Sequence, residues 1–115
     1  MPVSDDFAAH CAELLAVAGP VRSRRMFGGR GFYVHDLFVA LLVGDVLYLK
    51  ADGLHREWFE RAGGARFEFV RQGRTQAAGF WTVPAEALES PASMRPWVQR
   101  ALDAALRARA GTLRP

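Results

Sequence analysis

The stretch that most constrains the fold is LFVALLV, residues 37–43, which is followed by Gly44, Asp45 and a second apolar run, VLYLK. A two-residue connection that begins with glycine is typical of a β-hairpin, because such turns need a positive φ. The sequence therefore predicts paired antiparallel strands over 37–43 and 46–50. Antiparallel strands that face water on one side usually alternate, and 37–43 does not, so this strand is expected to be covered on both faces.

The flanking segments predict helices and further strands around this hairpin. Strand character begins at Val21, and the helices start at capping residues and stop at glycine or proline. The predicted helices and the second hairpin are a first helix from Ser4 and Asp5 to Gly19, a short helix capped by Asp52 with Leu54, Trp58, Phe59 and Ala62 inward, strands Phe67 to Arg71 and Thr75 to Val83, a helical turn after Pro84, and a last helix from Ser93 to Gly111. The order α-β-β-β-α-β-β-α predicts a two-layer α+β domain, in which helices pack on one side of a five-stranded antiparallel sheet.

Two apolar stripes at helical spacing predict which faces of the long helices are buried. In the first helix the stripe consists of Phe7, Cys11, Leu14, Leu15 and Ala18. In the last helix it consists of Met94, Trp97, Val98, Ala101, Leu102 and Ala105. Both helices are therefore expected to cover the same core.

Length and composition indicate one domain, residues 1–115. The chain has 115 residues, of which 50% are hydrophobic, and this is enough for one core. No run approaches the roughly 18 apolar residues of a membrane span, and two aspartates near the N-terminus replace the positive charge of a signal peptide. A soluble, cytoplasmic protein is expected, and its single cysteine excludes an internal disulfide.

The residue types that carry catalysis are present but not in catalytic patterns. Gly28, Gly29 and Gly31 do not match a nucleotide-binding GxGxxG, and they favour a tight turn or a close backbone approach. Cys11 lies on an apolar stripe and is expected to be buried, and the histidines are too scattered for a metal site. The carboxylates Glu57 and Glu60 are accompanied by Arg56 and Arg61, which is typical of a solvated charged face. The sequence predicts no catalytic, cofactor-binding or metal-binding residues, and hence not an enzyme.

The uncovered second face of the sheet is the first candidate binding surface. Because an apolar face favours burial, we expect it to meet a second copy of the chain in a homodimer, or another protein. The residues predicted to contact that protein partner are Phe38, Leu42 and Tyr48.

The second candidate is a cluster of arginines, Arg22, Arg24, Arg25 and Arg30. Residues 22 and 24 alternate on one strand face, so they are predicted to offer an anion-binding or weak nucleic-acid-binding patch beside Phe27 and Phe32. The alternative is that ordinary solvated arginines protect an edge strand from pairing with other sheets. The net charge of +3 does not choose between the two.

An ordered set of short motifs runs along the chain. The set consists of MFGGRG at 26–31, Tyr33, Phe38 with Ala40 and Leu41, LYLKAD at 47–52, Phe59 ahead of Ala62 and Gly63, FEF at 67–69, FWTVP at 80–84, and Trp97 with Ala101 and Leu102. This set resembles the N-terminal domain of the TfoX/Sxy family of bacterial competence regulators. The resemblance implies an α+β fold and a regulator that tunes transcription by assisting another DNA-bound factor. It offers no catalytic residues.

Two departures from the family pattern are visible. Asp36 stands in a turn where glycine is frequent, and aspartate tolerates the left-handed conformation that such a turn needs. Full-length competence regulators also carry a second, C-terminal domain, for which this sequence has no room. Functions that depend on that domain are not expected from these residues.

Overall fold

A six-stranded antiparallel sheet with helices on one side forms the domain. The structure is a computed structural model that describes residues 4–26 and 28–113, without the side chains of 76–78 and 111–113. The strands are β1 Val21–Met26, β2 Gly29–Val34, β3 Leu37–Val43, β4 Val46–Lys50, β5 Arg66–Arg71 and β6 Arg74–Thr82. The helices are α1 Asp5–Leu15, α2 Arg56–Arg61 and α3 Pro91–Leu113, with 3₁₀ turns at Ala16–Ala18 and Ala85–Leu88. The order across the sheet is β1-β2-β3-β4-β6-β5.

The α+β class and the antiparallel sheet agree with the sequence prediction, but five strands and the order α-β-β-β-α-β-β-α were wrong. Four strands precede α2, because the glycine-rich segment belongs partly to a strand. Gly28 takes a positive φ of 74° in the turn, whereas Gly29 and Gly31 lie within β2. A β-carbon on Gly29 would lie 1.9 Å from the carbonyl oxygen of Leu42, so glycine is needed there for the two strands to approach.

Tight turns connect the hairpins as their residue types predict. His35 and Asp36 join β2 to β3 with positive φ values of 50° and 62°, which confirms that aspartate adopts the left-handed conformation in this turn. Gly44 turns β3 into β4 with a φ of 60°. Gln72 and Gly73 join β5 to β6, also with positive φ. Each of these short connections fixes the register at the closed end of its own hairpin.

A β-bulge interrupts the pairing of β2 with β3. Phe32 is paired with Ala40 and Tyr33 with Phe38, so Val39 has no partner on β2. Val39 and Ala40 both join the core under the helices. An extra residue in one strand reverses the alternation of side chains that follow it. Leu42, which shares its odd or even position with Phe38, therefore lies on the opposite face.

The helices bury their apolar stripes against one face of the sheet. Each helix contributes fully buried side chains to the same cluster, for example Leu14 from α1 and Met94 from α3. α1 contacts β1 and β2, while α3 contacts β3, β4 and α1. Most of each predicted stripe is confirmed, but Phe7, Trp97 and Ala18 are only partly buried, and Ala18 lies in the 3₁₀ turn that follows α1.

The ends of the helices differ in detail from the prediction. Ser90, not Ser93, caps α3, since its Oγ accepts a hydrogen bond of 3.1 Å from the amide of Ser93. The helix therefore begins directly after Ser90, at Pro91, which is earlier than predicted, and Pro96 lies beyond the first turn. α3 continues past Gly111 to Leu113.

Only one residue of α2 reaches the core. Phe59 is fully buried, whereas Leu54 is 69% and Trp58 49% exposed, so the prediction that they point inward was wrong, as it was for the exposed Ala62. Because α2 has only six residues, it buries one side chain, that of Phe59, and its other side chains face outward. The ring of Trp58 lies under the guanidinium of Arg100, 4.3 Å from its centroid.

A bidentate ion pair ties the end of β4 to α3. Nε and Nη2 of Arg107 donate to the two carboxylate oxygens of Asp52, the Nη2 bond being 2.9 Å long. Asp52 Oδ1 also accepts from the amide of Leu54 at 3.1 Å. The hydrogen bond from Arg107 lowers the pKa of Asp52 from its ordinary 3.8. Burial, the second largest cause, acts in the opposite direction but does not cancel this effect.

We expect the Asp52→Asn variant to lose about 1 kcal/mol of unfolding free energy at pH 7, since the pair is partly exposed. Asparagine can still accept from Leu54, so the variant isolates the charge. Because the folded pKa is depressed, this stabilisation is present above the ordinary pKa and is lost as pH falls below about 3.8.

Urea unfolding of both proteins at pH 7 and at about pH 2.5 checks this expectation. The difference between wild type and Asp52→Asn should be smaller at the acidic pH, because below the ordinary pKa the unfolded chain takes up a proton on Asp52 before the folded protein does. A difference of equal size at both pH values would show that the ion pair is not its source.

Candidate functional site

The sheet face opposite α1 and α3, called the open face below, is the candidate functional site. Cross-strand pairing places on it Arg22 with Tyr33, Leu41 with Tyr48, and Arg71 with Arg74. Its described side chains are Arg22, Arg24, Met26, Tyr33, Phe38, Leu41, Val43, Val46, Tyr48, Lys50, Phe67, Phe69, Arg71, Arg74, Phe80 and Thr82. The apolar side chains that the helices bury belong to the cluster on the other face.

Two sets of aromatic rings cross the open face. In the first, the ring of Phe38 lies between Tyr33 and Phe80, with centroids 5.2 and 5.1 Å away. In the second, Phe67 contacts Tyr48 at 5.0 Å and Phe69 at 6.1 Å. Such contacts hold the rings in place before any partner binds.

The rings partly replace the cover that the apolar strand β3 was expected to need. Leu41, at the centre of the open face, is only 2% exposed, and Phe80 is 9% exposed. Phe38, Val43 and Tyr48 remain half-buried. The chain thus shields the middle of β3 from water itself, while the rings of Phe38 and Tyr48 remain partly accessible.

Gly31 lets two of these side chains lie close to the strand. A β-carbon at Gly31 would lie 2.5 Å from Cε of Met26 and 2.9 Å from Cε1 of Phe38. The glycine in this position is therefore explained by packing on the open face. A strand glycine often marks such a close approach.

Cations stand at both ends and in the middle of the open face. The guanidinium of Arg22 lies 5.7 Å from the ring centroid of Tyr33, and the ammonium of Lys50 lies 5.8 Å from that of Phe80. Arg71 and Arg74 are exposed at the far end of the sheet. Burial lowers the pKa of Lys50, and the nearby carboxylate of Asp52 opposes that effect.

The residues predicted to contact a partner are divided between the two faces. Phe38 and Tyr48 lie on the open face, whereas Leu42 is fully buried under the helices. The bulge at Val39 causes this difference, and a bulge has no simple sequence signal. Leu42 is therefore not available to a partner, and the neighbouring Leu41 lies on the open face in its place.

The predicted arginine cluster is also divided. Arg22 and Arg24 lie on the open face, whereas Arg25 is paired with Arg30 on the helix side of β1 and β2. Arg22 forms an ion pair of 3.1 Å with Asp36, and Arg30 forms one of 2.8 Å with Asp5 of α1. The four arginines do not make one patch.

The aromatic neighbours predicted for that patch are not beside it either. Phe32 is 1% exposed and belongs to the core under the helices. Phe27 lies outside the described residues. Sequence reasoning missed Tyr33, Phe67 and Phe80 as residues of the open face, although the alternation of the motif at 67–69 was a signal that could have found Phe67.

The candidate catalytic groups occupy structural positions. Cys11 is fully buried, as predicted, and burial raises the pKa of its thiol to about 12. Glu57 and Glu60 form exposed ion pairs with Arg61 and Arg56, which confirms the charged helix face. Among residues 4–26 and 28–113, no three His, Cys, Asp or Glu side chains are grouped as a metal site requires.

Within the same described ranges, no helix has both the length and the apolar character needed to cross a lipid bilayer.

Comparison with known proteins relates most of the chain to one family. The sequence profile of the TfoX N-terminal domain matches residues 13–105. The DNA transformation protein TfoX1 of Aliivibrio fischeri (strain ATCC 700601 / ES114) is 29% identical over 85 residues, which cover 74% of this chain and 41% of that protein. The chain thus spans well under half the length of this curated relative.

Proposed function

Because the chain belongs to the TfoX N-terminal domain family, we propose that it is a non-enzymatic, cytoplasmic regulatory module that acts by binding a protein through its open face. The relative from Aliivibrio fischeri is a DNA transformation protein, and control of DNA uptake or of the genes for it is the process we propose. The module would assist a transcription factor rather than read DNA itself.

The observation that carries this proposal is the set of half-buried rings on a face that the helices do not cover. Tyr33, Phe38 and Tyr48 stand on rigid neighbouring strands, and their contacts with other rings fix their positions. Aromatic residues fixed in this way lose little entropy on binding and are frequent at protein interfaces.

Replacing Phe38 with alanine is expected to weaken partner binding by roughly tenfold or more, because the residue lies at the centre of the first ring set. Wild-type and variant proteins, immobilised in parallel, would be exposed to extract from the source cell, and retained proteins quantified by mass spectrometry. The matched control is Trp58→Ala, which removes an aromatic ring from the helix side.

Proteins retained by wild type and by Trp58→Ala, but depleted with Phe38→Ala, are the expected result. Thermal unfolding of each variant separates lost binding from lost folding. A retained set that is the same for all three proteins would contradict the proposal.

Direct, weak binding of nucleic acid by Arg22, Arg24, Arg25 and Arg30 is the second candidate. The exposure of Arg24, with no ion pair to any described residue, favours it. The division of the cluster between two faces reduces the number of phosphates that it can reach together. Salt distinguishes the two functions, because binding to phosphates weakens steeply between about 50 and 200 mM salt, whereas an apolar protein contact responds far less.

A further inference from the structure

The charges of the open face point to the chemistry of its partner. Arg22 and Arg24 stand at the β1 end, Lys50 in the middle, and Arg71 and Arg74 at the β5 end. At the described strand positions of this face there is no aspartate or glutamate. Two carboxylates lie near these cations, and both are already paired: Asp36, in the turn beside Arg22, with that arginine, and Asp52, close to Lys50, with Arg107.

A partner that covers the rings must also cover Lys50. Its ammonium lies over the ring of Phe80 and is half-buried among apolar groups. Removing the remaining water from a charged amine is costly unless an opposite charge is supplied. The carboxylate that acts on Lys50, Asp52, is already engaged by Arg107. A purely apolar partner would therefore leave this cation with little counter-charge, so a further carboxylate is needed close to the apolar contact.

A second copy of the chain does not supply that carboxylate. Because both ends of the open face are cationic, a two-fold copy brings cations to cations whichever end it meets. A second copy would add only apolar contacts to the rings. Homodimerisation through this face is therefore the less favourable way to cover it.

Nucleic acid would supply negative charge but needs free ring faces on which bases can stack. The ring of Tyr33 is stacked with Phe38 and also faced by the guanidinium of Arg22. The ring of Phe80 is contacted by Phe38 and faced by Lys50. Rings engaged in this way present edges to a partner, and edges suit apolar side chains better than they suit bases.

We infer that the open face binds an acidic protein segment, whose apolar side chains cover Phe38 and Tyr48 and whose carboxylates pair with Arg24 and Lys50. This inference rests on the proposed function, since it names the partner chemistry of the same surface. The partner's apolar residues would be flanked by aspartate or glutamate on both sides, as the cations are arranged.

The probe is a library of random 12-residue peptides displayed on phage and selected against the immobilised chain. Enriched peptides are expected to combine aromatic or aliphatic residues with flanking carboxylates. Synthetic copies, labelled with fluorescein, would be measured by anisotropy, together with versions in which every Glu is replaced by Gln. The Gln versions should bind roughly tenfold more weakly or worse.

Two neighbouring arginines provide matched variants of the protein. Arg24→Glu reverses a charge on the open face, whereas Arg25→Glu makes the same change one residue later, on the helix side. We expect Arg24→Glu, alone and with Lys50→Glu, to lose roughly tenfold or more in peptide affinity. Arg25→Glu should bind as wild type does. Thermal unfolding verifies that each variant is folded.

The possible failures are distinguishable. Peptides enriched without acidic residues, but lost with Phe38→Ala, would overturn the acidic partner and leave the proposed function standing. No enrichment, or enrichment insensitive to Phe38→Ala, would overturn both. A labelled 20-residue oligothymidylate that binds wild type and loses affinity with Arg24→Glu would make nucleic acid the ligand, and a sedimenting dimer that Phe38→Ala dissociates would make it a second copy.

Discussion

The Gly29→Ala variant is expected to lose about 3 kcal/mol of unfolding free energy, because the new methyl group meets backbone rather than a side chain. Its β-carbon would lie 1.9 Å from the carbonyl oxygen of Leu42 and 3.2 Å from Cα of Val43. β2 and β3 cannot both keep their positions with that atom present. Neither the oxygen nor the strand that carries it can rotate away as a flexible side chain could.

The measurement is the melting temperature together with the urea midpoint, and a fall of roughly 10–20 °C corresponds to this loss. Gly53→Ala is the matched control, because no heavy atom of the described residues, apart from its chain neighbours, lies within 4 Å of the β-carbon that it adds. That control should change the unfolding free energy by less than about 0.5 kcal/mol. Equal effects of the two substitutions would refute the close approach as the cause.

The Phe59→Ala variant is expected to lose about 3–5 kcal/mol, the range for a buried phenylalanine truncated to alanine. Phe59 is the one buried residue recorded for α2, and its ring meets Trp97 of α3 at 5.1 Å and 63°. A helix of six residues has too few hydrogen bonds to persist in water without tertiary contacts. The variant should therefore release α2 as well as lower stability.

Hydrogen exchange of the amides of residues 56–61, measured beside urea unfolding, separates these two effects. Trp58→Ala is the control on the same helix, since its ring is 49% exposed and contacts Arg100. We expect it to cost about 1 kcal/mol or less. If Trp58→Ala destabilised the protein as much as Phe59→Ala, the assignment of Phe59 as the anchor would fail.

The sequence predicts the helices and hairpins well where the signal is local. The stripe of α3 and the turn at Gly44 each depend on residues a few positions apart, and both are confirmed. The extra strand was missed because three glycines in four positions are typical of a loop. Here Gly29 and Gly31 lie in a strand for a reason set by distant residues, Leu42 and Phe38.

The candidate site was predictable only in part. An uncovered sheet face follows from the element order, and Phe38 and Tyr48 were placed on it correctly. The side of Leu42 depends on where β2 and β3 come out of step, and the division of the arginines depends on the pairing of β1 with β2. Neither register is encoded in the local pattern of apolar residues.

The unpaired Val39 lets the two halves of β3 run out of phase with each other along one strand. If Val39 paired with Phe32 and the bulge were lost, the rest of the strand would turn over, exchanging Leu41 and Val43 for Ala40 and Leu42 on the side that meets other molecules. Deleting the Val39 codon, by contrast, would leave a regular strand with the same residues on each side. Relatives of equal length and similar hydropathy can thus diverge in binding through substitutions that move the bulge.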